Sequence, residues 1–461
     1  MPAIAVLHVT SAEGGGADRY IRDLAAATAA RHWIWHAAAG VVEHAPAGRY
    51  YAAPANGPRL ARWLASSGIT LLHLHGVTQE CAHVLERVRA AVAMPYVVTL
   101  HDIAFVAPGA FDGDLAPDAA DHPRVAALLA DAACVIVPSE YIGALVRQHF
   151  PGIAIECVAP GIGRAADAAT VALPGIAADF HAGTRPTRIG IIGAIGPHKG
   201  SHELAALGHA LAASDASLVV IGYTDSRIEP GWVTPRELYV HGAYEEHQLP
   251  ALLDAYGVGI VLFANRLPES FSYALSEAWA AGRPVIVPAA GALGERVKRL
   301  GGGWILNAGC SADDVAALVA RVTAAAGADE WAQVKSTIDT HDPLRIPPLA
   351  TMTQAFDALY ARFAQPADEA DGDSGADALT SLVAANLDGR MFRRELVRAT
   401  GELVGAHAWN TKLAADVAEL KAAIERLERD NRVLAGVHAV FVRMPGLLQR
   451  YLLKRALRDR S

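Results

Sequence analysis

The sequence predicts an α/β protein made of two Rossmann-like domains that face each other, with a helical extension at the C-terminal end. Three observations predict this fold class. Short β-branched runs alternate with Ala- and Leu-rich helical stretches, which is typical of parallel strands joined by crossover helices. The pattern restarts near residue 187 after a loop-like stretch at 161–187. A length of 461 residues also suggests two or three domains.

Composition narrows the function classes. The chain has 40 basic and 48 acidic residues, a net charge of −8, which argues against a nucleic-acid binder. Hydrophobic residues make up 52% and charged residues 19%, so wholesale disorder is not expected. The four cysteines show no zinc-type spacing, and no signal peptide or run of about 18 apolar residues is present. We therefore expect a cytoplasmic protein without a structural zinc site.

The strands and helices follow from the local patterns. In the first half, strands are predicted at 4–9, 71–74, 96–100 and 134–137, with helices over 20–30 and 80–92. In the second half, strands are predicted at 188–192, 218–221, 238–240, 259–263 and 284–287, with a helix over 203–213. The predicted domains are an N-terminal Rossmann-like domain 1–165, a C-terminal Rossmann-like domain 186–345, a crossover helix 346–364, a linker 365–400 and a tail 401–461. Ligands of such sheets bind beyond the carboxyl ends of the strands.

The tail carries two further patterns. Residues 413–434 show apolar positions at heptad spacing, with Asn431 at a seam position where a buried Asn fixes register. This pattern predicts a coiled coil and a homodimer, although a single amphipathic helix folding back onto the body has the same spacing. The last segment mixes Arg and Lys with Leu, which favours peripheral contact with anionic lipid; a solvated charged tail is the alternative.

The segment 268–287 is the most informative stretch of the sequence. It reads as a loop, a helix with Ser270 as N-cap, a stop at Gly282 and a buried strand. The start of such a helix directs free backbone N–H groups and a positive dipole end at a ligand, so it favours an anion. Glu269 precedes the helix and Glu277 lies roughly 12 Å further along at about 1.5 Å per residue. That separation suits two contacts to one extended ligand, although two solvated helix glutamates produce the same pattern.

This segment resembles a known family through its Glu269-x7-Glu277 spacing, its Phe271-Ser272 step and its Glu-Ala-x-Ala-x-Gly-x-Pro-Val-Ile ending. Further matching motifs are the first glycine loop, Thr99-Leu100-His101-Asp102, Val137-Pro138-Ser139-Glu140 and Gly196-Pro197-His198-Lys199-Gly200. Together they resemble the family-4 retaining glycosyltransferases of the GT-B fold, of the type that builds bacterial cell-surface polysaccharides such as lipopolysaccharide. The resemblance covers residues 1 to about 364.

The resemblance implies roles in the second domain. Glu277 hydrogen-bonds the ribose of a nucleotide-sugar donor, and Glu269 holds hydroxyls of the transferred sugar. The amides around Phe271 and Ser272 receive the diphosphate, and Lys199 pairs with it as charge develops on the leaving group. Elementary chemistry agrees, because positive charge and oriented N–H groups at the departing oxygen lower the barrier.

The first domain contributes the remaining residues. By resemblance, His101 touches the donor sugar near the reacting carbon, and the glycines of the first loop allow close approach of donor phosphate and acceptor. The predicted catalytic residues are Glu269, Lys199 and His101. The predicted donor-binding residues are Gly15, Gly16, Lys199, Glu269, Phe271, Ser272 and Glu277.

One position departs from the family pattern. The family usually has an Arg six residues before the glycine that follows the lysine, and this chain has Ala194 there. Half of the usual cationic contact to the diphosphate is therefore missing. Lys199 acts alone, or His198 or an arginine such as Arg266 compensates.

No metal or other cofactor is predicted. His73 and His75 alternate on one strand and mimic a metal pair, but the sequence offers no evident third ligand. The Asp-x-Asp sequences at 112–114 and 371–373 follow no convincing strand and are interpreted as turns. We expect the chain to use a nucleotide-diphosphate sugar as substrate without a metal ion.

The predicted function is the transfer of a hexose-type sugar, with retention at the anomeric carbon, to a saccharide or lipid-linked acceptor. The alternative is a catalytically weak sugar-nucleotide-binding scaffold, which the Ala194 departure and the tail keep open. A dehydrogenase is disfavoured because neither glycine loop fits Gly-x-Gly-x-x-Gly, and the frame of a P-loop is absent.

Overall fold

The computed structural model describes residues 4–11, 14–45, 48–54, 56–110, 121–163, 180, 187–340 and 342–365. The linker, the heptad segment 413–434, the basic end of the tail and both Asp-x-Asp sequences lie outside the described residues. Two sheets organise the described residues, and the residues around each sheet are here called the first lobe and the second lobe.

The first lobe is built on an eight-stranded sheet in the order β4-β3-β2-β1-β5-β6-β7-β8. Strands β1, β2 and β5 to β8 are parallel, whereas β3 and β4 form an antiparallel edge. The strands are β1 Ala5–Thr10, β2 Arg31–His36, β3 Val41–His44, β4 Arg49–Ala52, β5 Leu71–His75, β6 Tyr96–Thr99, β7 Cys134–Val137 and β8 Ile155–Cys157. The helices are α1 Gly15–Ala27, α2 Pro58–Ser66, α3 Gln79–Ala91, α4 His122–Ala130 and α5 Glu140–His149.

The second lobe is built on a seven-stranded sheet in the order β11-β12-β10-β9-β13-β14-β15, parallel except for the edge strand β11. The strands are β9 Thr187–Ile195, β10 Ala216–Thr224, β11 Gly231–Thr234, β12 Leu238–Val240, β13 Ile260–Leu262, β14 Val285–Pro288 and β15 Gly303–Leu306. The helices are α6 Leu204–Ala213, α7 Leu249–Ala255, α8 Tyr273–Ala280, α9 Gly291–Leu300, α10 Ala312–Thr323 and α11 Ala328–Asp339.

The last described helix, α12 Leu349–Phe363, packs on the first lobe although it follows the second lobe in the chain. Its Phe356 and Tyr360 lie in one buried cluster with Val6 of β1 and Leu24 of α1. The chain therefore crosses back to the first lobe before residue 365. The exact domain boundaries stay a prediction.

The two facing Rossmann-like domains predicted from the sequence are confirmed. Alternating parallel strands and helices place the carboxyl ends of β1, β6, β9 and β13 where ligands of such sheets bind. The antiparallel edge β3–β4 was missed, since four-residue strands give little periodicity. Among the described residues, no helix has both the length and the apolar character needed to cross a membrane.

Candidate functional site

A cleft of about 530 Å³ lies between loops of the two lobes. Its size is that of a pocket for one small ligand. The first lobe contributes the loop after β1 and the residues after β6, and the second lobe contributes the loops after β9 and β13. All the predicted site residues line it: Gly15, Gly16, His101, Lys199, Glu269, Phe271, Ser272 and Glu277.

The loop before α8 forms one wall of the cleft. Ser272, not Ser270, is the N-cap of this helix: its hydroxyl accepts a hydrogen bond from the amide of Leu275 at 3.4 Å. The prediction of Ser270 as N-cap was wrong, because the helix begins at Tyr273, two residues later than the pattern indicated. The hydroxyl of Ser270 instead donates to the carbonyl of His101 in the other lobe.

The backbone of Ser272 has φ of 72°, a left-handed conformation that is strained for a residue with a side chain. The buried Arg296 of α9 holds it by donating to the carbonyls of Phe271 at 3.0 Å and Ser272 at 3.1 Å. The same guanidinium donates to the hydroxyl of Ser276 and the carbonyl of Arg345. Burial lowers the pKa of Arg296 to about 9. No sequence pattern marks this arginine, which lies more than 20 residues from the loop it supports.

Lys199 and Glu269 meet at the second-lobe side of the cleft. The Lys199 Nζ lies 3.6 Å from the Glu269 Oε1, and the amide of Asn265 donates to the same carboxylate at 2.8 Å. Lys199 ends a short 3-10 turn that closes at Gly200, whose φ is 82°. A Cβ on Gly200 would lie 2.3 Å from the carbonyl oxygen of Ala264, so only glycine fits there.

Glu277 pairs with Arg19, which is not among the predicted site residues. The Nη1 of Arg19, on α1 of the first lobe, lies 2.5 Å from the Glu277 Oε1. Arg19 also pairs with Glu246, and its guanidinium lies 4.1 Å from the centroid of the Tyr273 ring. One signal was present in the sequence: Arg19 stands one helical turn after Gly15, on the helix that the glycine loop begins.

Arg19 changes the interpretation of Ala194. Ala194 lines the cleft and supplies no charge, and Arg266 is 65% exposed, pairs with Glu203 and does not line the cleft. Burial and the neighbouring Lys199 lower the pKa of His198. Among the described lining residues, the permanent positive charges are therefore Lys199 from one lobe and Arg19 from the other.

The glycine loop and His101 form the first-lobe side. Gly15 has φ of 71°, which requires glycine, whereas a Cβ on Gly16 would make only an ordinary contact with Tyr273 at 3.6 Å. His101 is half-buried, and burial lowers its pKa to about 4. Its Nε2 hydrogen-bonds the Nδ1 of His75 at 2.9 Å.

The sequence offered no evident third ligand beside His73 and His75, but the structure brings His8 to them. Strand pairing places His8 opposite His73, and the three rings are buried with nitrogens within 4.8 Å of one another. Their nitrogens already bond within the protein: His8 to His75 at 2.8 Å, and His73 to both Tyr360 and Thr99. The expectation that the chain needs no metal stays a prediction.

Two family models match the chain. The model described as Glycosyltransferase Family 4 matches residues 14–164, and the model described as Glycosyl transferases group 1 matches residues 186–325. Together they span the two lobes and more than half of the sequence. The chain belongs to the family-4-like glycosyltransferases of the GT-B fold, and it is therefore an enzyme of glycosyl transfer.

Solved structures with the same fold cover most of the chain. HepE of Anabaena, in a complex with UDP and glucose, is 16% identical with a TM-score of 0.52, over 78% of this chain and 99% of that chain. Sucrose-phosphate synthase of Thermosynechococcus elongatus is 17% identical with a TM-score of 0.52, over 78% and 98%. A glycosyltransferase of Rickettsia africae is 11% identical with a TM-score of 0.53, over 78% and 98%. No curated protein matches the chain.

Proposed function

We propose that the chain transfers a sugar from a nucleotide-diphosphate sugar to a hydroxyl of a saccharide or lipid-linked acceptor, with retention at the anomeric carbon and without a metal ion. The observation that carries this proposal is the meeting of Lys199, Glu269 and Glu277 in one cleft with the capped start of α8. An ammonium, two carboxylates and free amides match the groups of a sugar diphosphate.

The positive groups act on the leaving diphosphate. Negative charge grows on its bridging oxygen as the glycosidic bond breaks, so fixed donors and cations placed there lower the barrier. Lys199 supplies a compact charge, and the first amides of α8 supply oriented N–H groups. Arg19 lies on the first-lobe side of the cleft and supplies a second cation, in place of the arginine that the family usually has at position 194.

The carboxylates bind hydroxyls of the donor. Glu269, held by Lys199 and Asn265, accepts hydrogen bonds from the transferred sugar. Glu277 accepts from the ribose, and in the free enzyme Arg19 occupies that carboxylate. Donor binding thus shares or replaces the Arg19–Glu277 ion pair, which joins the two lobes across the cleft.

The proposed reaction is a front-face substitution. The bond from the anomeric carbon to the diphosphate oxygen breaks, and the bond from that carbon to the acceptor oxygen forms on the same face. The acceptor proton passes to the departing diphosphate. The mechanism requires no covalent intermediate on the protein and no divalent ion, because Lys199, Arg19 and the amides balance the charge. That HepE was solved with UDP and glucose supports a nucleotide-sugar donor.

The cellular setting extends the proposal. We place the enzyme in the cytoplasm, at the inner face of the membrane, where a lipid-linked acceptor is available. The basic end of the tail supplies the lipid contact and residues 413–434 supply a homodimer contact. Deleting residues 413–461 should reduce recovery with membranes and halve the sedimenting mass, while donor binding persists. Unchanged fractionation and mass would contradict both assignments.

Nucleotide release from UDP-, GDP-, TDP- and ADP-sugars tests the reaction. Wild type should turn over at least one donor, whereas Lys199→Met and Glu269→Gln should lose most turnover. Arg266→Met and Glu203→Gln remove the same charges outside the cleft and serve as matched controls. An inverted anomeric product would overturn retention. Binding of a donor without turnover in any variant would favour the scaffold alternative, which the alanine at position 194 supports.

A further inference from the structure

A row of imidazoles leads from the cleft into the interior of the first lobe. The His101 Nε2 lies 2.9 Å from the His75 Nδ1, and the His75 Nε2 lies 2.8 Å from the His8 Nδ1. The row continues from the His8 Nε2 to the His32 Nδ1 at 2.9 Å and from the His32 Nε2 to the hydroxyl of Thr28 at 2.6 Å. His8, His75 and His32 are buried, and neither the family motifs nor the proposed reaction assigns a role to these three rings or to Thr28.

Each inner ring uses both of its nitrogens. A 180° flip of any of them would replace two hydrogen bonds by C–H contacts, so the ring orientations are fixed. Burial lowers the pKa of all four histidines, to about 4 for His32 and His101 and well below the ordinary value for His8 and His75. Each ring is therefore neutral near pH 7, with one N–H donor and one bare nitrogen. Four neutral rings in a row must all point their protons in the same direction.

The far end of the row fixes that direction. The hydroxyl oxygen of Thr28 lies 2.7 Å from the carbonyl oxygen of Leu24. A carbonyl only accepts, so the single hydroxyl proton of Thr28 must lie in that short contact. The Thr28 oxygen then has only lone pairs left for His32. His32 must carry its proton on Nε2, and the same choice follows at each next ring.

We infer that Thr28, His32, His8 and His75 form a directional hydrogen-bond chain that holds His101 as the tautomer protonated on Nε2 and presents a bare Nδ1 to the cleft. Thr28 and the three inner histidines are thus positioning residues. They act through His101, which lines the cleft. Among the described residues, no group hydrogen-bonds the Nδ1 of His101.

The inference deepens the proposed function by naming the ligand chemistry at this wall. A bare imidazole nitrogen accepts an O–H and offers nothing to an ether oxygen, a carbonyl or a phosphate oxygen. The ligand group facing His101 is therefore a hydroxyl that donates, as on a polyhydroxylated sugar, and a carboxylate or phosphate there is repelled by the nitrogen lone pair. This part rests on the proposed function, whereas the tautomer itself does not.

Nitrogen NMR of the ligand-free full chain labelled with ¹⁵N-histidine tests the tautomer directly. We expect a protonated Nε2 and a bare Nδ1 for His101, His75, His8 and His32 at pH 7, each signal assigned by its loss in the single His→Gln variant. Detection of His101 protonated on Nδ1, or charged, would overturn the inference. Because no donor is present, the result stands or falls separately from the proposed reaction.

Thr28→Val tests the direction of the hydrogen bonds from the far end of the histidine row. The variant keeps the size of the side chain but removes the acceptor of the His32 N–H. Both directions then leave one unpaired nitrogen at His32, so the preference is lost and His101 should populate both tautomers. Thr28→Ser keeps the hydroxyl and should retain the wild-type signals. A wild-type His101 spectrum in a folded Thr28→Val protein would contradict the inference.

Kinetics give an independent readout that a merely structural role would not move. Loss of one neutral hydrogen bond to the donor should raise its KM about two- to tenfold in Thr28→Val, with little change in kcat, while Thr28→Ser resembles wild type. An equal donor KM in Thr28→Val and Thr28→Ser would count against a contact between a donor hydroxyl and His101. If the kinetics are equal but Thr28→Val still shifts the tautomer of His101, the directional row of hydrogen bonds stands and only the ligand contact is refuted.

Discussion

The two lobes bury different kinds of polar side chains. The first lobe buries six histidine and acidic side chains on its strands: His8, His32, His36, Glu43, His73 and His75. On the strands of the second lobe, the described residues include no buried histidine or acid. Its buried arginines donate to backbone carbonyls instead: Arg296 to those of the loop before α8, and Arg345 to those of Thr337 in α11 and Leu300 in α9. Buried histidines of the first lobe bond one another, whereas the buried Arg296 of the second lobe holds the loop that lines the cleft.

This difference predicts that the two lobes respond differently to pH and to substitution. A buried polar network is specific in direction and sensitive to proton concentration, because each member depends on its neighbours. A buried arginine bonded to carbonyls stays charged over the ordinary pH range and fixes a strained loop. We therefore expect acid to act first on the first lobe, and single substitutions in the loop to act mainly on turnover.

Acid sensitivity should be the largest effect. Burial lowers the pKa of His8, His32, His73, His75 and His101 below the ordinary value of 6.5. The unfolded chain then binds more protons, so stability is full above pH 6.5 and is lost as pH falls toward the folded-state pKa, about 4 for His32 and His101. Near pH 5 each histidine should contribute about 1.4 kcal/mol of lost stability per pH unit. Urea unfolding between pH 5 and 8 measures the slope.

Two variants separate the buried histidines from the rest. His73→Gln should reduce the slope by about one proton, whereas His83→Gln removes an exposed histidine of α3 and should leave it unchanged. If the free energy of unfolding of the wild type depends on pH with a slope that corresponds to fewer than two protons, the contrast between the lobes does not hold.

The second-largest effect should follow from Lys199→Met. Loss of one fixed cation at the leaving group should lower kcat about 100- to 1000-fold, with little change in stability. Steady-state kinetics with the donor found in the release screen measure it. Arg266→Met, which removes an exposed charge of the neighbouring loop, should change kcat less than twofold. Equal losses in both variants would mean that position 199 has no special electrostatic role.

Arg296→Met should give the next effect and sharpens the view of the second-lobe interior. It removes donors to the carbonyls of Phe271 and Ser272 and releases the strained N-cap. We expect a loss of about 3 kcal/mol in the free energy of unfolding together with a fall in kcat/KM. Arg299→Met changes an exposed arginine of the same helix and is the control. Full activity in folded Arg296→Met would refute the bracing role.

Arg19→Met should have the smallest effect, about tenfold in kcat/KM, because one partly exposed charge is lost. The test is a double-mutant cycle with Ala194→Arg, which introduces a cation at an exposed position of the cleft. If Arg19 replaces the missing arginine, its removal should matter less beside Ala194→Arg. Additive effects of the two changes would show that the positions act independently.

The comparison also explains what sequence reasoning reached and what it missed. Glu269, Phe271, Ser272 and Glu277 lie within nine residues, so local spacing was enough to select them. Arg19 and Glu277 are 258 positions apart, and nothing in the sequence marks their contact. The N-cap was misplaced by two residues because Ser270 and Ser272 are both good caps, and only the loop conformation chooses between them. His8 was missed since strand pairing brings it opposite His73.

The sequence by itself determined the repeated βα pattern, the two Rossmann-like halves and the short motifs of the cleft, because these depend on periodicity and on residues a few positions apart. Only the tertiary structure decided that the second cation comes from Arg19, that Arg296 holds the loop and that a row of histidines backs His101. Each of these depends on side chains brought together by sheet pairing or by two lobes meeting. Such contacts leave no regular spacing in a single chain, since distance along the sequence does not set distance in space.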